Sequence, residues 1–145
     1  MYKNSIIKSA KGIVVVKNKY LLQLRDNKKN IYFPGFWGVF GGLLNKGEKF
    51  TEAIVREIKE ETNLNVEVSR MVIFNNFTIF GSRKVRRRIY YECKILRKKK
   101  IILKEGKKYK FFSHSQIKKL NIVPLDSAAI NYHYLSMVKQ VKYLP

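Results

Sequence analysis

The sequence contains a single cysteine, Cys93. One cysteine excludes an internal disulfide framework and a zinc site built from cysteines. Residues 89–95 around it alternate as in a β-strand, so we predict that Cys93 packs in the interior. A chain without disulfides is typical of a reducing compartment, and we therefore expect a cytoplasmic protein.

Long apolar runs are also absent. No stretch approaches the roughly 18 apolar residues that a membrane-spanning helix needs. The apolar part of residues 1–8 is too short for a signal peptide, so we expect neither a leader nor contact with a membrane. No repeat and no linker rich in Pro or Ser divides the 145 residues, which predicts one domain over residues 1–145.

Acidic residues are scarce, because 31 Lys and Arg stand against 10 Asp and Glu and give a net charge of +21. Such a charge attracts polyanions, a class that includes nucleotides, nucleic acids and anionic membrane surfaces. Compositional drift in an AT-rich genome explains the excess of Lys, Ile, Asn and Tyr more simply. The charge alone therefore identifies no partner.

Hydrophobic periodicity predicts both strands and helices. We predict strands over residues 12–16, 20–25, 66–80 (one long strand or a pair), 86–96, 101–103 and 109–112, and helices over 51–62, 115–120 and 126–141. Because the two kinds of element alternate irregularly, we expect an α/β (α+β) fold, an α/β/α sandwich around a mixed β-sheet.

Half of the acidic residues crowd into residues 48–61. Within the predicted helix, Glu57, Glu60 and Glu61 lie on one face, where like charges destabilise a helix by roughly 0.2–0.5 kcal/mol per pair. A hard divalent cation such as Mg²⁺ removes that repulsion, since it prefers oxygen ligands and shares them with phosphates. Taken alone, the glutamates are explained more simply by a solvated helix face paired with lysines.

The glycines before the helix favour the metal site. Gly42 is followed after five positions by Glu48, and after seven more by Arg-Glu-Ile-Lys-Glu-Glu at residues 56–61. Up to Leu64 this spacing resembles the Nudix box: Gly, five positions, Glu, seven positions, Arg-Glu-aliphatic-any-Glu-Glu-any-Gly-aliphatic. Only the last glycine differs, because Asn63 stands there. Asparagine tolerates the left-handed backbone that follows a helix end, so the carboxylates are unaffected.

The resemblance implies the Nudix fold and hydrolysis of a nucleoside diphosphate linked to another moiety, with Mg²⁺ or Mn²⁺ as cofactor. It implies metal binding by Glu57, Glu60 and Glu61, completed by the backbone carbonyl of Gly42. Glu57 and Glu61 form the best pair of direct ligands, one helical turn apart. Glu57 and Glu60 are also candidate catalytic groups, because a carboxylate takes the proton of the attacking water.

Two further residues complete the expected catalytic group. Arg56 is expected to orient a neighbouring carboxylate such as Glu48 and not to touch the substrate. Glu105, followed by Gly106, resembles the loop carboxylate that reaches the metal in the MutT-like branch, so it is both a catalytic and a metal-binding candidate. An ordinary turn explains this pair equally well.

Candidate substrate-binding residues lie outside the box: Phe33, Phe36, Trp37, Phe40, Arg25 and Asp126. Aromatic rings stack on bases, although most large aromatic residues belong to a core. The segment 33–42 resembles the approach to the box in bacterial Nudix hydrolases. Asp126 resembles the Asn or Asp that binds a purine edge in MutT-like relatives, and it is also a favourable N-cap for the predicted last helix.

Other polar residues have simpler explanations. The basic segment 82–88 joins two predicted strands and either borders the phosphate end of the cleft or forms a solvated hairpin face. His114 and His133 are isolated in the sequence, and we assign them no catalytic role.

The predicted function is Mg²⁺-dependent pyrophosphohydrolysis of a nucleoside triphosphate to a monophosphate and pyrophosphate. The alternatives are a nucleotide-sugar or ADP-ribose pyrophosphatase, an RNA 5′-end pyrophosphohydrolase, and a Nudix module that binds nucleotides without catalysis. An RNA 5′ end is a partner that suits the basic charge, and a homodimer is also compatible with the sequence.

Overall fold

The computed structural model describes residues 6–79 and 81–139 of the chain. Its elements are β1 (Ile6–Val16), β2 (Lys19–Leu24), β3 (Trp37–Gly38), β4 (Phe40–Leu43), α1 (Phe50–Thr62), β5 (Val66–Phe77), β6 (Val85–Ile95), β7 (Lys108–Ser113), α2 (His114–Ile117) and α3 (Pro124–Lys139). The predicted strand end at Phe80 and helix end at Val141 lie outside the described residues.

Strand β1 holds the sheet together, because it pairs with three other strands. Its residues 6–14 run parallel to β6, and residues 9–12 of the same strand run antiparallel to β4. Beyond Gly12 the strand leaves β4 and pairs with β2 through residues 15–16. Strand β5 extends the sheet beyond β6, while β3 and β7 pair with β2. The sheet is therefore mixed, as predicted.

Alternate side chains of β1 face opposite layers, as the period of two in a strand requires. Ala10 and Val14 pack with the buried face of α1, which includes Ile54 and Ile58. Ile13 belongs to a second core cluster with Ile130 of α3. Helices thus cover both faces of the sheet, and the predicted α/β/α sandwich is confirmed.

One predicted strand does not form. Residues 101–103 lie outside every strand of the sheet. The N–H of Ile102 donates to the carbonyl oxygen of Thr62 at 3.0 Å, and that of Lys104 donates to Glu61 at 2.9 Å. These are carbonyls at the end of α1, which have no partner inside the helix. The segment is extended because it completes the hydrogen bonding of α1.

Two isolated sequence features are structural. Cys93 is buried, as predicted, and burial raises the pKa of its thiol to about 12. His133 is also buried, and its ring nitrogens hydrogen-bond the Tyr20 hydroxyl at 2.8 Å and the Glu92 carboxylate at 2.6 Å. His133 therefore joins α3 to the sheet. In the described part of the chain, no helix is both long and apolar enough to cross a bilayer.

The close approach of α1 to β1 depends on Gly12. A Cβ at this position would lie 2.6 Å from Cδ1 of the fully buried Ile58. We expect Gly12→Ala to destabilise the fold by about 1–3 kcal/mol through overpacking. Ile58→Val removes the colliding carbon, so in that background the same change should cost less by about 0.5 kcal/mol or more. Urea denaturation of the four proteins measures this coupling, and strictly additive effects would contradict it.

Candidate active site

Arg56 fixes the loop that precedes α1. Its Nε and Nη2 donate to the two oxygens of Glu48 at 2.8 and 2.9 Å, and Nη2 also donates to the carbonyl of Leu43 at 3.0 Å. This guanidinium, helped by the backbone N–H of Asn45, lowers the pKa of Glu48 to about 2. Arg56 thus contacts the Glu48 carboxylate that was predicted to be its partner, and its part in catalysis stays a prediction.

The same guanidinium also holds the two neighbouring glutamates of α1. Arg56 Nη1 donates to Glu57 at 2.9 Å and to Glu60 at 3.1 Å. The side chain of Glu57 is 16% exposed, whereas that of Glu60 is 58% exposed. Glu57 is therefore held against the protein, whereas most of the Glu60 side chain lies in solvent.

Two glycines of β4 allow its backbone to reach these carboxylates. A Cβ on Gly42 would lie 2.6 Å from Cδ of Glu57. A Cβ on Gly41, whose φ is +149°, would lie 2.1 Å from the carbonyl oxygen of Ala10. The N–H of Gly41 donates to Oε2 of Glu61 at 3.3 Å. A side chain at Gly42 would therefore displace Glu57, and one at Gly41 would push β4 away from β1.

Glu61 is the most buried carboxylate of the cluster, at 5% exposure. Burial raises its pKa to about 8, Lys11 opposes the rise, and the charges of Glu57 and Glu105 add to it. Burial also lowers the pKa of Lys11. A cation placed among these three carboxylates would remove the repulsion between them.

The loop before β7 brings Glu105 to the end of α1. The N–H of Lys104 donates to the carbonyl of Glu61, and that of Lys107 donates to the carbonyl of Leu24 at 2.9 Å. Gly106 passes so close to β2 that a Cβ there would lie 2.8 Å from Oε1 of Gln23. Glu105 and Glu61 consequently line one cleft of about 370 Å³, which we call the carboxylate cleft.

These donors suit a divalent cation. The carboxylates of Glu57, Glu61 and Glu105 are hard oxygen ligands of the kind that Mg²⁺ and Mn²⁺ prefer. Among residues 6–79 and 81–139, no three His, Cys, Asp or Glu side chains form a ready-made metal cage. An ion that keeps several waters and shares phosphate oxygens needs only one or two protein carboxylates. The donor set therefore fits such an ion.

A second cavity, of about 320 Å³, adjoins the carboxylate cleft. We call it the base cavity; it is lined by aromatic and cationic side chains and the start of α3, including Tyr32, Phe33, Phe77, Arg86, Arg88 and Asp126. Lys11 and Arg25 line both cavities, so they stand where the two meet. Lys11 and Tyr32 were not predicted; the available signal for Lys11 is a cation directly before the apolar end of its strand.

Three of the predicted aromatic residues do not line the base cavity. Phe40 is fully buried in the core beneath α1, so it has no surface to offer a base, and this prediction is wrong. Trp37 packs edge-on against Phe112 with ring centres 4.8 Å apart. Phe36 packs against Phe33, with ring centres 5.5 Å apart.

Asp126 is not an N-cap, because α3 begins two residues earlier, at Pro124. Its carboxylate is 2% exposed and accepts hydrogen bonds from the N–H of Val39 at 3.0 Å and from the hydroxyl of Tyr90 at 2.5 Å. Asp126 thus joins α3 to the sheet at the floor of the base cavity. The capping prediction fails because its oxygens bind the sheet and not the helix end.

Comparison with known proteins gives relatives that match part of the chain. The chain is 44% identical over 61 residues to an ADP-ribose pyrophosphatase of Methanocaldococcus jannaschii. The match covers 42% of this chain and 34% of that protein. The chain is 30% identical over 63 residues to Nudix hydrolase 2 of Arabidopsis thaliana, covering 43% and 23%. The matched region thus spans about a third or less of these relatives.

Solved structures match over more of the chain. The fold is similar to that of the E. coli ORF135 protein, with a TM-score of 0.79, 17% identity and 94% of both chains covered. It is also similar to the MutT protein from Methanosarcina mazei Go1, with a TM-score of 0.75, 20% identity and 97% and 99% covered. The family model of the NUDIX domain matches residues 7–134. Because that match covers most of the chain, together with the box at the carboxylate cleft, the chain belongs to the Nudix family.

Proposed function

We propose that this chain is a Mg²⁺-dependent pyrophosphohydrolase whose substrate is a nucleoside triphosphate, released as a monophosphate and pyrophosphate. One observation carries the proposal: the carboxylate cleft opens into an aromatic cavity, and two cations line both. A nucleotide fits this order, with its base between aromatic rings, its phosphates beside Lys11 and Arg25, and its scissile bond near Glu61.

The chain's own groups divide the work. Glu57 and Glu61 would hold the metal, with the backbone of Gly42 beside them. When bound, the metal neutralises phosphate charge and lowers the pKa of a water that attacks phosphorus. Glu105 lines the cleft together with Glu61 and would take the proton of that water. Arg56 keeps the glutamates in position.

Two alternative substrates have specific support. The relative from Methanocaldococcus jannaschii is named for hydrolysis of ADP-ribose, which makes that class of substrate the second candidate. An RNA 5′ end suits the net charge of +21. Mn²⁺ suits the same oxygen ligands as Mg²⁺. A cytoplasmic location and a homodimer stay predictions.

A substrate panel tests the reaction. Purified protein with Mg²⁺ should release pyrophosphate from nucleoside triphosphates faster than it cleaves ADP-ribose, nucleotide sugars or triphosphorylated RNA. EDTA should abolish turnover, and added Mg²⁺ or Mn²⁺ should restore it, because the proposed reaction needs the metal. Absence of turnover on every substrate would favour a binding module.

The metal ligands are tested by removing charge without changing shape. Glu57→Gln and Glu61→Gln should each lower kcat by about 100-fold or more, equivalent to ~2.7 kcal/mol of transition-state stabilisation. Glu67→Gln, on an exposed position of β5, is the matched control and should leave kcat unchanged. If both cleft variants keep the wild-type rate with an intact fold, the metal assignment is wrong.

Glu105 needs its own test, since its sequence signal is two residues long. Glu105 is the proposed proton acceptor, and a glutamine in its place cannot accept the proton. Glu105→Gln should therefore lower kcat by roughly 100-fold or more with little change in KM. A loss of less than about threefold would make it a turn residue instead.

A further inference from the structure

We propose that the base cavity selects nucleobases with a ring oxo group at purine position 6 or pyrimidine position 4, and that Arg86 reads this group. Hypoxanthine, guanine and uracil carry this oxygen, whereas adenine and cytosine carry an amino group in its place. The inference rests on the proposed function, because it names the substrate class of that site.

The walls of the cavity suit a flat ring. Tyr32 is 56% exposed and Phe33 is 43% exposed, although large aromatic side chains are usually buried. Phe33 also has a φ of +51°, which is unfavourable for a bulky residue. Such backbone conformations persist where the surroundings impose them, and they concentrate at ligand sites. The surroundings thus present the Phe33 ring to the cavity.

Two cations of the cavity come from one face of β6. Arg86 and Arg88 alternate with Arg87, so they share a face, while Arg87 donates to Asn76 at 3.0 Å. The Arg86 guanidinium lies 5.7 Å from the ring centre of Tyr32, and that of Arg88 lies 5.1 Å from the ring centre of Phe77. Aromatic contacts therefore hold both guanidiniums beside the space for the base.

Arg86 has a donor that lacks an acceptor. Its Nε is buried, and in the described residues it is the one buried side-chain nitrogen or oxygen without a hydrogen-bond partner. A buried donor left unpaired is costly, and such groups normally find a partner. Arg86 also lines the cavity, so its guanidinium can donate to an oxygen of a ligand bound there.

Among the described side chains that line the cavity, no carboxylate is free to accept from an amino group. Asp126 is the one acidic residue among those that line the cavity, and its oxygens already accept from Val39 and Tyr90. At 2% exposure it has almost no surface left for a ligand. An amino group facing Arg86 would oppose donor to donor, which a buried polar site rejects strongly.

A base explains the cavity better than another phosphate does. The aromatic rings offer stacking surface, which phosphate does not use. The phosphates also have a separate route, because Lys11 and Arg25 lead from this cavity to the carboxylate cleft.

Two matched substrate pairs test the selection. Wild-type protein with Mg²⁺ should show a kcat/KM roughly 10- to 100-fold higher for ITP than for ATP, and for UTP than for CTP. Arg86→Met should remove most of this preference by raising KM for ITP and UTP. Arg86→Lys should also weaken it, because a lysine lacks the planar fork. Arg87→Met is the matched control and should keep the preference.

The outcomes separate this inference from the proposed function. Equal kcat/KM within each pair would overturn the inference while leaving pyrophosphohydrolysis standing. An equal loss on all four nucleotides in Arg86→Met, with unchanged thermal unfolding, would place the guanidinium on phosphate and also overturn it. If no nucleotide is hydrolysed, the proposed function fails, and calorimetry with IMP and AMP decides the inference: tighter IMP binding by about tenfold supports it, and equal affinity overturns it.

Discussion

The backbone of β4 passes α1 at a distance that only glycine permits, and the candidate active site depends on this contact. With a side chain at Gly42, Glu57 could not keep its place. Gly41, one residue earlier, donates its N–H to Glu61. Both carboxylates are thereby held against a strand that is itself fixed to β1. Gly12 of β1 likewise lets α1 pack closely on the sheet.

The charge distribution around this contact favours a bound cation. Cations predominate over the chain as a whole, yet the charges of Glu57 and Glu105 both act on the buried Glu61. By itself a cleft lined by Glu61 and Glu105 would repel a polyphosphate that the rest of the protein attracts. A bound divalent cation reverses the local sign, so that the general field and the cleft favour the same ligand. Arg56 cannot supply this positive charge to a polyphosphate. Its donors are already used by Glu48, Glu57, Glu60 and Leu43.

The parts that were predictable from the sequence are local. Helix α1 and the Arg56–Glu48 pair follow from spacing along one loop and one helix, which the sequence displays directly. Residues 101–103 were assigned wrongly because an extended apolar segment can bond a helix end as well as a sheet. Phe40 and Asp126 were assigned from neighbouring motifs, but their burial depends on how α1 and α3 close over the sheet.

The base cavity was harder to predict because it is built from distant segments. Phe77 pairs with Arg86 across β5 and β6, and residues 32–33 approach from the loop before β3. The strand register places Phe77 beside Arg86, and the loop adds residues 32–33 to the same space.

This arrangement separates two requirements of the proposed reaction. The α1 side of the sheet supplies the carboxylates that act on the phosphate bond, whereas β6 and α3 supply the groups that surround the base. Lys11 borders both cavities because β1, on which it lies, pairs with β4 on one side and with β6 on the other. Substitutions along β6 can therefore change the base that is accepted without moving Glu57 or Glu61. In the proposed function, the side chains that select the base therefore lie outside the Nudix box.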